Sequence, residues 1–367
     1  MRIDDNSIRV DRSKCVACGI CVDRCIMDNL RLSIAPCRQA CPVNMNCQGY
    51  IRLIASGREE QALEHLRPFG PLAMLIADAC SAPCEKACAR RKKAGRKEAR
   101  KKEEGAVHIL ELKRYLVKKY PDHLNEIEAP AKKTNKKIAI IGAGVPGLAG
   151  AVKAVQSGHK VQIFEKLSDK EVQDDLLKPI AVSLERAGVC FSRDAIHQAG
   201  LDSHSFDAVV VSQPDDVRFI NDRTEKENSK PDFNAQTHFL YDHLFCCENP
   251  DNAKNSPVHQ ISSAFETVES VNRYLNGEPM DWGRGFYTQD GAVKAYTADQ
   301  RIGSDVRRTA KEDLKDGLDE KTAVEQASRC FSCGRSFEKN QTCWYCLPCE
   351  LECPHDALEV RIPYLVR

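Results

Sequence analysis

The chain has 367 residues, of which 42% are hydrophobic and 29% charged, and its formal net charge is +1. This length suits two or three domains of about 100 to 200 residues each. No apolar run reaches the roughly 18 residues that a membrane-spanning helix needs, and the first residues lack the apolar segment of a signal peptide. The balanced charge gives no indication of a nucleic-acid partner. We therefore expect a multi-domain cytoplasmic protein without a membrane span.

The composition is most unusual in its cysteines, of which there are nineteen. The cytosol keeps thiols reduced, so a cysteine-rich cytosolic chain points to thiolate–metal chemistry rather than to a disulfide framework. Zinc and iron–sulfur clusters are the alternatives, because CxxC pairs serve both. The spacing between the cysteines is the sequence feature that distinguishes zinc sites from iron–sulfur clusters.

The first cysteine motif reads CVACGICVDRC and follows a short strand-like segment, SIRVDRS. Its C-x2-C-x2-C-x3-C spacing is typical of bacterial ferredoxins, in which three thiolates hold one 4Fe–4S cube and the fourth ligates a neighbouring cube. Zinc sites usually use two separated CxxC pairs, so the unbroken run favours iron–sulfur. The fourth cysteine is followed by Ile26 rather than by proline. The predicted ligands are Cys15, Cys18, Cys21 and Cys25, and residues 1–35 would form half of a two-cluster ferredoxin.

Residues 36–130 alternate cysteines with amphipathic helical patterns. The segment contains a CxxxCP motif, a CxxPCxxxC motif and a following helix with Leu112 and Arg114. These motifs resemble the N-terminal cluster domain of the glutamate synthase small-subunit family, which dihydropyrimidine dehydrogenase and the bifurcating transhydrogenase share. The resemblance implies a helical domain with two 4Fe–4S cubes. The cysteines of the segment are Cys37, Cys41, Cys47, Cys80, Cys84 and Cys88.

The first of the two implied cubes departs from the family pattern. In the family it takes a CxxC pair, the first cysteine of CxxxCP and the last of CxxxC. The CxxC pair expected just before Cys37 is absent, but a downstream RCFSCG segment supplies Cys330 and Cys333. We expect this segment to return in space and complete the cube with Cys37 and Cys88.

The second implied cube departs from the family pattern at its fourth ligand. The family uses a glutamate or glutamine on the helix, and Lys113 stands at that position here. An ammonium group has no lone pair for iron. We predict that Cys47 replaces the missing ligand beside Cys41, Cys80 and Cys84.

A basic run, RRKKAGRKEARKK, lies between Arg90 and Lys102. Such runs are usually solvated surface, and that interpretation is favoured here. A docking patch for an acidic redox partner is the alternative.

A dinucleotide-binding fingerprint follows in KKIAIIGAGVPGLAGAVKAVQSGHKVQIFEK. It combines a strand, the GxGxxG turn of Gly142, Gly144 and Gly147, a helix, and a second strand ending in Glu165. The glycines let backbone amides approach a pyrophosphate, and the acid accepts from a ribose hydroxyl. Later segments up to residue 280 resemble the FAD domain of the same family.

The nucleotide domain is expected to be truncated. The family's ATG reads Val211-Ser212-Gln213 here, and no second GxGxxG occurs between Phe164 and Asn276 where the family inserts its NADPH domain. We expect no NADPH binding by this chain. Bound FAD at residues 131–280 and a purely structural role for this fold remain alternatives.

After a linker at 281–328, residues 329–367 contain the RCFSCG segment and a second ferredoxin motif, CWYCLPCELECP. Because each end supplies one motif and one short strand, we predict that the two ends form a single ferredoxin module. Cys353 would then ligate the cube held by the N-terminal motif, and Cys25 would ligate the cube held by the C-terminal motif. The C-terminal ligands are Cys343, Cys346, Cys349 and Cys353. Cys190, Cys246 and Cys247 remain, and free buried cysteines usually act as small hydrophobes.

The sequence thus predicts an α/β multi-domain protein with a helical iron–sulfur domain, a truncated Rossmann-like FAD domain and a ferredoxin-like module with two 4Fe–4S clusters. Sixteen cysteines would hold four clusters. The expected role is electron transfer within an anaerobic oxidoreductase complex, with a catalytic subunit and ferredoxin as candidate partners. A self-contained FAD-dependent NAD(P)H:ferredoxin oxidoreductase and a zinc-binding scaffold are the alternatives.

Overall fold

The computed structural model describes residues 7–93, 105–164, 176–192, 205–213, 233–247, 256–282, 308–309, 314, 317–339 and 343–361. The chain forms two compact units. One draws on Met1–His65, Ser81–Lys118 and Tyr287–Arg367, and the other on Leu66–Cys80 and Lys119–Phe286. The α/β class is confirmed, whereas the finer domain limits after residues 35, 130, 280 and 328 stay predictions.

The described residues form helices and strands in the following order. The helices are α1 (Ile20–Asp23), α2 (Pro36–Gln39), α3 (Cys47–Ala55), α4 (Glu59–Leu63), α5 (Leu72–Ala79), α6 (Pro83–Ala87), α7 (Ala89–Lys93), α8 (Ile109–Lys119), α9 (Val145–Gln156), α10 (Lys178–Arg186), α11 (Pro257–Asn276), α12 (Glu320–Ser328) and α13 (Pro348–Leu351). The strands are β1 (Ile8–Val10), β2 (Leu30–Ser33), β3 (Lys137–Ile141), β4 (Lys160–Phe164), β5 (Cys190–Ser192), β6 (Ala208–Val211), β7 (Phe239–Tyr241), β8 (Leu244–Cys246), β9 (Arg335–Glu338) and β10 (Leu358–Val360). Short 3-10 turns occur at Arg67–Phe69 and Asp122–Leu124.

In the first unit, the two ends of the chain meet in two small antiparallel sheets. Strand β1 pairs with β10, and β2 pairs with β9. In β10, Leu358 and Val360 are buried while the residue between them is exposed, which is the alternation of a strand with one covered face. These two side chains pack with Ile8 and Leu30 from the N-terminal strands. Strands from the two ends of the chain are therefore paired, while the assignment of both ends to one ferredoxin module stays a prediction.

Helix α3 organises the helical part of the first unit. It begins at Asn46, whose side chain accepts a hydrogen bond from the Gly49 amide and so caps the helix. Most of its side chains are buried, and the Tyr50 hydroxyl donates to the Ile109 carbonyl at the start of α8 at 2.9 Å. A second link joins α8 to α4, because the Tyr115 hydroxyl donates to Glu59 Oε1 at 2.6 Å.

The second unit contains a six-stranded sheet in the order β5-β4-β3-β6-β8-β7. Neighbouring strands are parallel except for the hairpin of β7 and β8. Strand β3 is apolar over Ile138–Ile141 and fully covered, as expected for a central parallel strand. Its position beside both β4 and β6 is the switch point at which Rossmann-type sheets bind nucleotides.

Candidate iron–sulfur and nucleotide sites

The two ferredoxin motifs at the ends of the chain share one backbone conformation. Ala17 and Tyr345, each preceding the second cysteine of its motif, have positive φ angles of 53° and 56°. Gly19 and Leu347, each following that cysteine, also have positive φ angles, of 98° and 71°. A left-handed conformation is strained for a leucine, so the surrounding fold must enforce it. The shared conformation indicates that both loops wrap around equivalent centres.

The N-terminal motif gathers its first three cysteines around a cysteine from the far end of the chain. Burial raises the pKa of the Cys21 thiol to about 11, and repulsion from Cys18, Cys15 and Cys353 acts in the same direction. Burial likewise raises the pKa values of Cys15 and Cys18, again with a contribution from Cys353. These four thiols are therefore neighbours, in the grouping that exchanged fourth ligands would require.

The C-terminal motif shows the reciprocal arrangement. Burial raises the pKa of Cys349 to about 11, with repulsion from Cys25, Cys343, Cys21 and Cys346. Cys25 also contributes to the raised pKa of Cys343. The contribution of Cys21 shows that the two groups of thiols adjoin each other.

Hydrogen bonds to sulfur hold the fourth cysteine of each ferredoxin motif in place. The Asn29 amide donates to Cys25 Sγ and the Ala357 amide donates to Cys353 Sγ, both at 3.3 Å. These are matching positions in the two motifs. Cys21 Sγ lies 2.8 Å from the hydroxyl oxygen of Ser336 on β9. Donors aimed at sulfur stabilise thiolates and are among the features that set cluster potentials.

A cavity in the first unit is lined by the four cysteines predicted for the first helical cube. Cys37, Cys88, Cys330 and Cys333 all border it, and its volume is small, about 20 Å³. Burial raises the pKa of Cys330 to about 12, with repulsion from Cys37 and Cys88. The RCFSCG segment therefore lies beside Cys37 and Cys88, while a cluster shared by these four cysteines stays a prediction. Iron would have to displace the thiol protons, as metal binding by cysteine generally does.

The returning segment is fixed by a buried amide. Gln48 Nε2 donates to the Gly334 carbonyl at 2.7 Å and to Ser332 Oγ at 3.3 Å. The Gly334 amide in turn donates to Gln48 Oε1. The Gln48 amide thus both donates to and accepts from the backbone of Gly334. Because Gln48 lies on helix α3, this helix holds the segment that carries Cys330 and Cys333.

The second helical group centres on Cys47. Hydrogen bonds with the Cys37, Cys41 and Cys84 thiols raise the pKa of this fully buried thiol well above its ordinary value. The bond from Cys47 lowers the pKa of Cys41 to about 6, and the charge of Lys113 acts in the same direction. Lys113 is buried as well.

Two members of the predicted ligand set, Cys37 and Cys80, differ from the others in their position. Cys37 contacts Cys47 and also lines the cavity, so the two helical groups adjoin at this residue. Cys80 follows helix α5 and belongs to the second unit. Its ligation of the second cube stays a prediction.

The cysteine-lined cavity can be compared with what zinc and a 4Fe–4S cluster each require. A zinc ion needs its sulfurs within about 2.3 Å of one point. A cubane offers a separate iron to each thiolate, so its ligands stand farther apart and can line a cavity. The donor set and the cavity fit a 4Fe–4S cluster.

The glycine loop of the second unit retains the shape of a pyrophosphate site. Gly142 has a φ of 95°, and a Cβ added to Gly147 would overlap the Gly142 carbonyl oxygen. Only glycines satisfy both positions. A Cβ added to Gly144 would make only ordinary van der Waals contacts, the nearest with Gln213 Nε2 at 3.7 Å. A backbone approach by a phosphate is therefore sterically allowed, while Glu165, the predicted ribose partner, lies outside the described residues.

The three remaining cysteines lie in or directly after strands of the second unit's sheet. Cys246 and Cys247 are buried, and Cys190 is exposed at the start of β5. The first two fit the expected role of small core residues.

The chain is similar to several known proteins. Residues 22–124 match the family described as dihydropyrimidine dehydrogenase domain II, 4Fe-4S cluster. This part of the chain is therefore similar to a 4Fe–4S domain. The resemblance to glutamate synthase small subunits is also confirmed. The chain is 31% identical over 136 residues to the beta subunit of the NADPH-Fe(3+) oxidoreductase of Geobacter sulfurreducens, and 31% identical over 127 residues to the glutamate synthase [NADPH] small chain of Bacillus subtilis.

A further relative is the homologue of the NAD-dependent dihydropyrimidine dehydrogenase subunit PreT in Salmonella typhi, 33% identical over 132 residues. The alignments cover 37% of this chain for the Geobacter protein, 34% for the Bacillus protein and 36% for the Salmonella protein. The chain spans only 19%, 24% and 30% of the length of these relatives. None of the helices in the described residues is long and apolar enough to cross a membrane.

Sequence reasoning did not identify Gln48 or Ser336 as contributors to the cysteine sites. Each contacts a segment about 300 positions away in the chain, at separations of 286 and 315 residues. No local periodicity marks such a residue.

Proposed function

We propose that this chain is an iron–sulfur electron-transfer subunit of a cytoplasmic, anaerobic oxidoreductase complex. It carries four 4Fe–4S clusters and relays electrons between a catalytic partner subunit and ferredoxin or another redox subunit. The observation that carries the proposal is the cavity bordered by Cys37, Cys88, Cys330 and Cys333. It is bordered by cysteines from three distant segments, and two of them, Cys37 and Cys88, lie within the residues that match a 4Fe–4S domain family.

The four cysteine groups adjoin in series, which supports a relay. The C-terminal and N-terminal groups meet where Cys21 faces Cys349. The N-terminal group meets the cavity through Ser336, which contacts Cys21 and lies three residues after Cys333. The cavity meets the group around Cys47 at Cys37. Electrons entering at one end could thus pass through all four centres.

The protein's own contribution is to hold and tune the clusters. Its thiolates bind iron, its buried walls exclude water, and amide donors at Cys25 and Cys353 stabilise charge on sulfur. The described site residues are cysteines with hydrogen-bonding neighbours rather than an acid–base pair, so we place substrate chemistry on the partner subunit.

We place the partner contact at the C-terminal cluster. Cys346 is exposed, unlike the other cysteines of its motif. Ile26, Trp344 and Leu351 are each more than 70% exposed, at 72%, 72% and 78%, and each lies within two residues of a cysteine of this group. Apolar side chains around an exposed ligand suit the docking of a redox subunit, because a dry contact brings two centres close.

FAD is the proposed occupant of the glycine loop, with its pyrophosphate at Gly142, Gly144 and Gly147 and its adenosine ribose at Glu165. The open approach to Gly144 supports this assignment. When bound, FAD would supply exchange between one-electron and two-electron steps. No NADPH domain is proposed for this chain.

The test is the composition of anaerobically purified protein. We expect about sixteen irons and about sixteen acid-labile sulfides per chain, and one released FAD. Values near eight irons would overturn the four-cluster assignment, and zinc without sulfide would support a scaffold. Clusters that are bleached by NADH without any partner would instead favour a self-contained NAD(P)H:ferredoxin oxidoreductase.

A further inference from the structure

Strand β9 directs two polar side chains towards the cysteines of the ferredoxin motifs. Its antiparallel pairing with β2 places Ser336 opposite Leu32 and Glu338 opposite Leu30. Opposed residues and residues two apart on a strand share one face, so Ser336 and Glu338 lie on the side of Leu30. Leu30 has no exposed surface and packs in the core that contains the ferredoxin cysteines. Phe337, between the two polar residues, is 37% exposed, as expected for the outer face.

Ser336 contacts two cysteines of the N-terminal motif. It is 2% exposed, and its hydroxyl oxygen lies 2.8 Å from Cys21 Sγ. Its backbone also forms a hydrogen bond to the thiol of Cys15. A cysteine that ligates iron has given up its proton, so with a cluster in place the hydroxyl of Ser336 would be the donor to Cys21. The donated bond would stabilise negative charge on the N-terminal cluster.

Glu338 adjoins cysteines that are proposed to hold the C-terminal cluster. Its Oε1 accepts from Asn29 Nδ2 at 2.9 Å, and the backbone amide of the same asparagine donates to Cys25 Sγ at 3.3 Å. Its Oε2 is buried and has no hydrogen-bonding partner within the part of the chain that the structure describes. Burial raises the pKa of Cys343, and repulsion from Glu338 acts in the same direction. A carboxylate thus lies beside both Cys25 and Cys343.

The two side chains act in opposite directions on cluster reduction. Reduction adds one electron to a 4Fe–4S cluster that its four thiolates already make anionic, and no bond breaks. A hydrogen bond donated to sulfur stabilises the added charge, whereas a neighbouring carboxylate repels it. The repulsion from Glu338 is weakly screened because its Oε2 is removed from solvent.

We propose that strand β9 sets the direction of electron flow within the ferredoxin module. Ser336 raises the reduction potential of the N-terminal cluster, and Glu338 lowers that of the C-terminal cluster. One electron therefore passes from the C-terminal cluster, at the proposed partner contact, to the N-terminal cluster, so that the first is oxidised as the second is reduced. A reduced redox centre of the partner subunit supplies the electron. The inference rests on the proposed function, since it requires both clusters.

The test is an EPR-monitored redox titration of the anaerobic full-length protein, with dithionite as the electron donor. Cys18→Ser and Cys346→Ser first assign the N-terminal and C-terminal signals, because each should lose or alter one signal. Ser336→Ala is then expected to shift the midpoint of the N-terminal signal alone to lower potential. Ser336→Thr keeps the hydroxyl and should stay close to wild type. The control Ser13→Ala removes an exposed hydroxyl that donates to Asp11 Oδ1, and it should shift neither signal.

Glu338→Gln tests the second side chain in the same titration. The amide keeps the shape of the side chain and an oxygen for Asn29 but removes the charge. We expect the midpoint of the C-terminal signal alone to shift to higher potential. The control Glu359→Gln removes the charge of a side chain that is 58% exposed, where water screens it, and should shift neither signal.

Failure of this inference and failure of the proposed function give different results. If both signals are present and either Ser336→Ala or Glu338→Gln leaves its midpoint unchanged, the inference is wrong and the proposed function stands. Iron loss in either variant, or equal shifts in Ser336→Ala and Ser336→Thr, would assign a packing role to the side chain and also overturn the inference. If Cys18→Ser and Cys346→Ser change no signal and no iron content, the clusters are absent, and the proposed function fails first.

Discussion

Leu358→Ala tests whether the two ends of the chain form one ferredoxin module. Leu358 is only 6% exposed, pairs in register with Val10 of β1, and packs with Leu30. Truncating a buried leucine costs about 2 to 5 kcal/mol. The module has two short two-stranded sheets, so this is a large fraction of its stability. The substitution lies in the C-terminal strand but should destabilise the N-terminal cluster.

The assay is cluster-resolved EPR during incubation with an iron chelator, and Cys18→Ser assigns the N-terminal signal. We expect that signal to decay faster in Leu358→Ala than in wild type. Glu359→Ala is the matched control, because its side chain is 58% exposed and surface changes usually stay within about 0.5 kcal/mol. An N-terminal signal that decays equally in both variants would refute the shared module and support two independent halves.

Three further predictions concern single residues. Cys47→Ser should remove about one cluster's worth of iron, about four atoms by iron assay, whereas the exposed Cys190→Ser should remove none. Gly147→Ala should destabilise the second unit because its Cβ overlaps a backbone carbonyl, while Gly144→Ala should keep the melting temperature and weaken FAD retention. Burial lowers the pKa of His159 below 6.5, so the unfolded state takes up the proton first as the pH falls. Stability should therefore drop below about pH 6.5, measured by urea titration, and less so in His159→Asn.

The cysteine groups could be predicted from the sequence because ligand spacing is a local property. A run such as that from Cys15 to Cys25 fixes which thiols can share a loop. The return of Cys330 and Cys333 could also be predicted, since the pair before Cys37 was missing and one unpaired CxxC remained. The first inference needed only spacing, whereas the second also needed the ligand pattern of the family that the segment resembles.

The surroundings of the cysteines could not be predicted in the same way. Arg329 sits in a polar-looking segment, and nothing in that segment indicates that its side chain is fully buried. Its carbonyl partners, Gly105 and Ala106, lie more than 220 residues away, at separations of 224 and 223. A contact of that kind depends on the tertiary fold and leaves no periodic pattern. The contacts that surround the cysteines could therefore be identified only from the structure.

Gln48 offers a test of how the returning segment is held. Its amide exchanges hydrogen bonds with both backbone groups of Gly334 and also donates to Ser332. Gln48→Leu keeps a similar volume but leaves two buried backbone groups unpaired, at about 1 to 3 kcal/mol each. We expect a lower melting temperature and faster loss of the cavity cluster, the one whose EPR signal Cys330→Ser removes. Gln39→Leu, at an exposed position on α2, should change neither. If Gln48→Leu retains the cavity signal as long as Gln39→Leu does, the segment is held by other contacts, and the amide is not what brings the distant CxxC pair to its cluster.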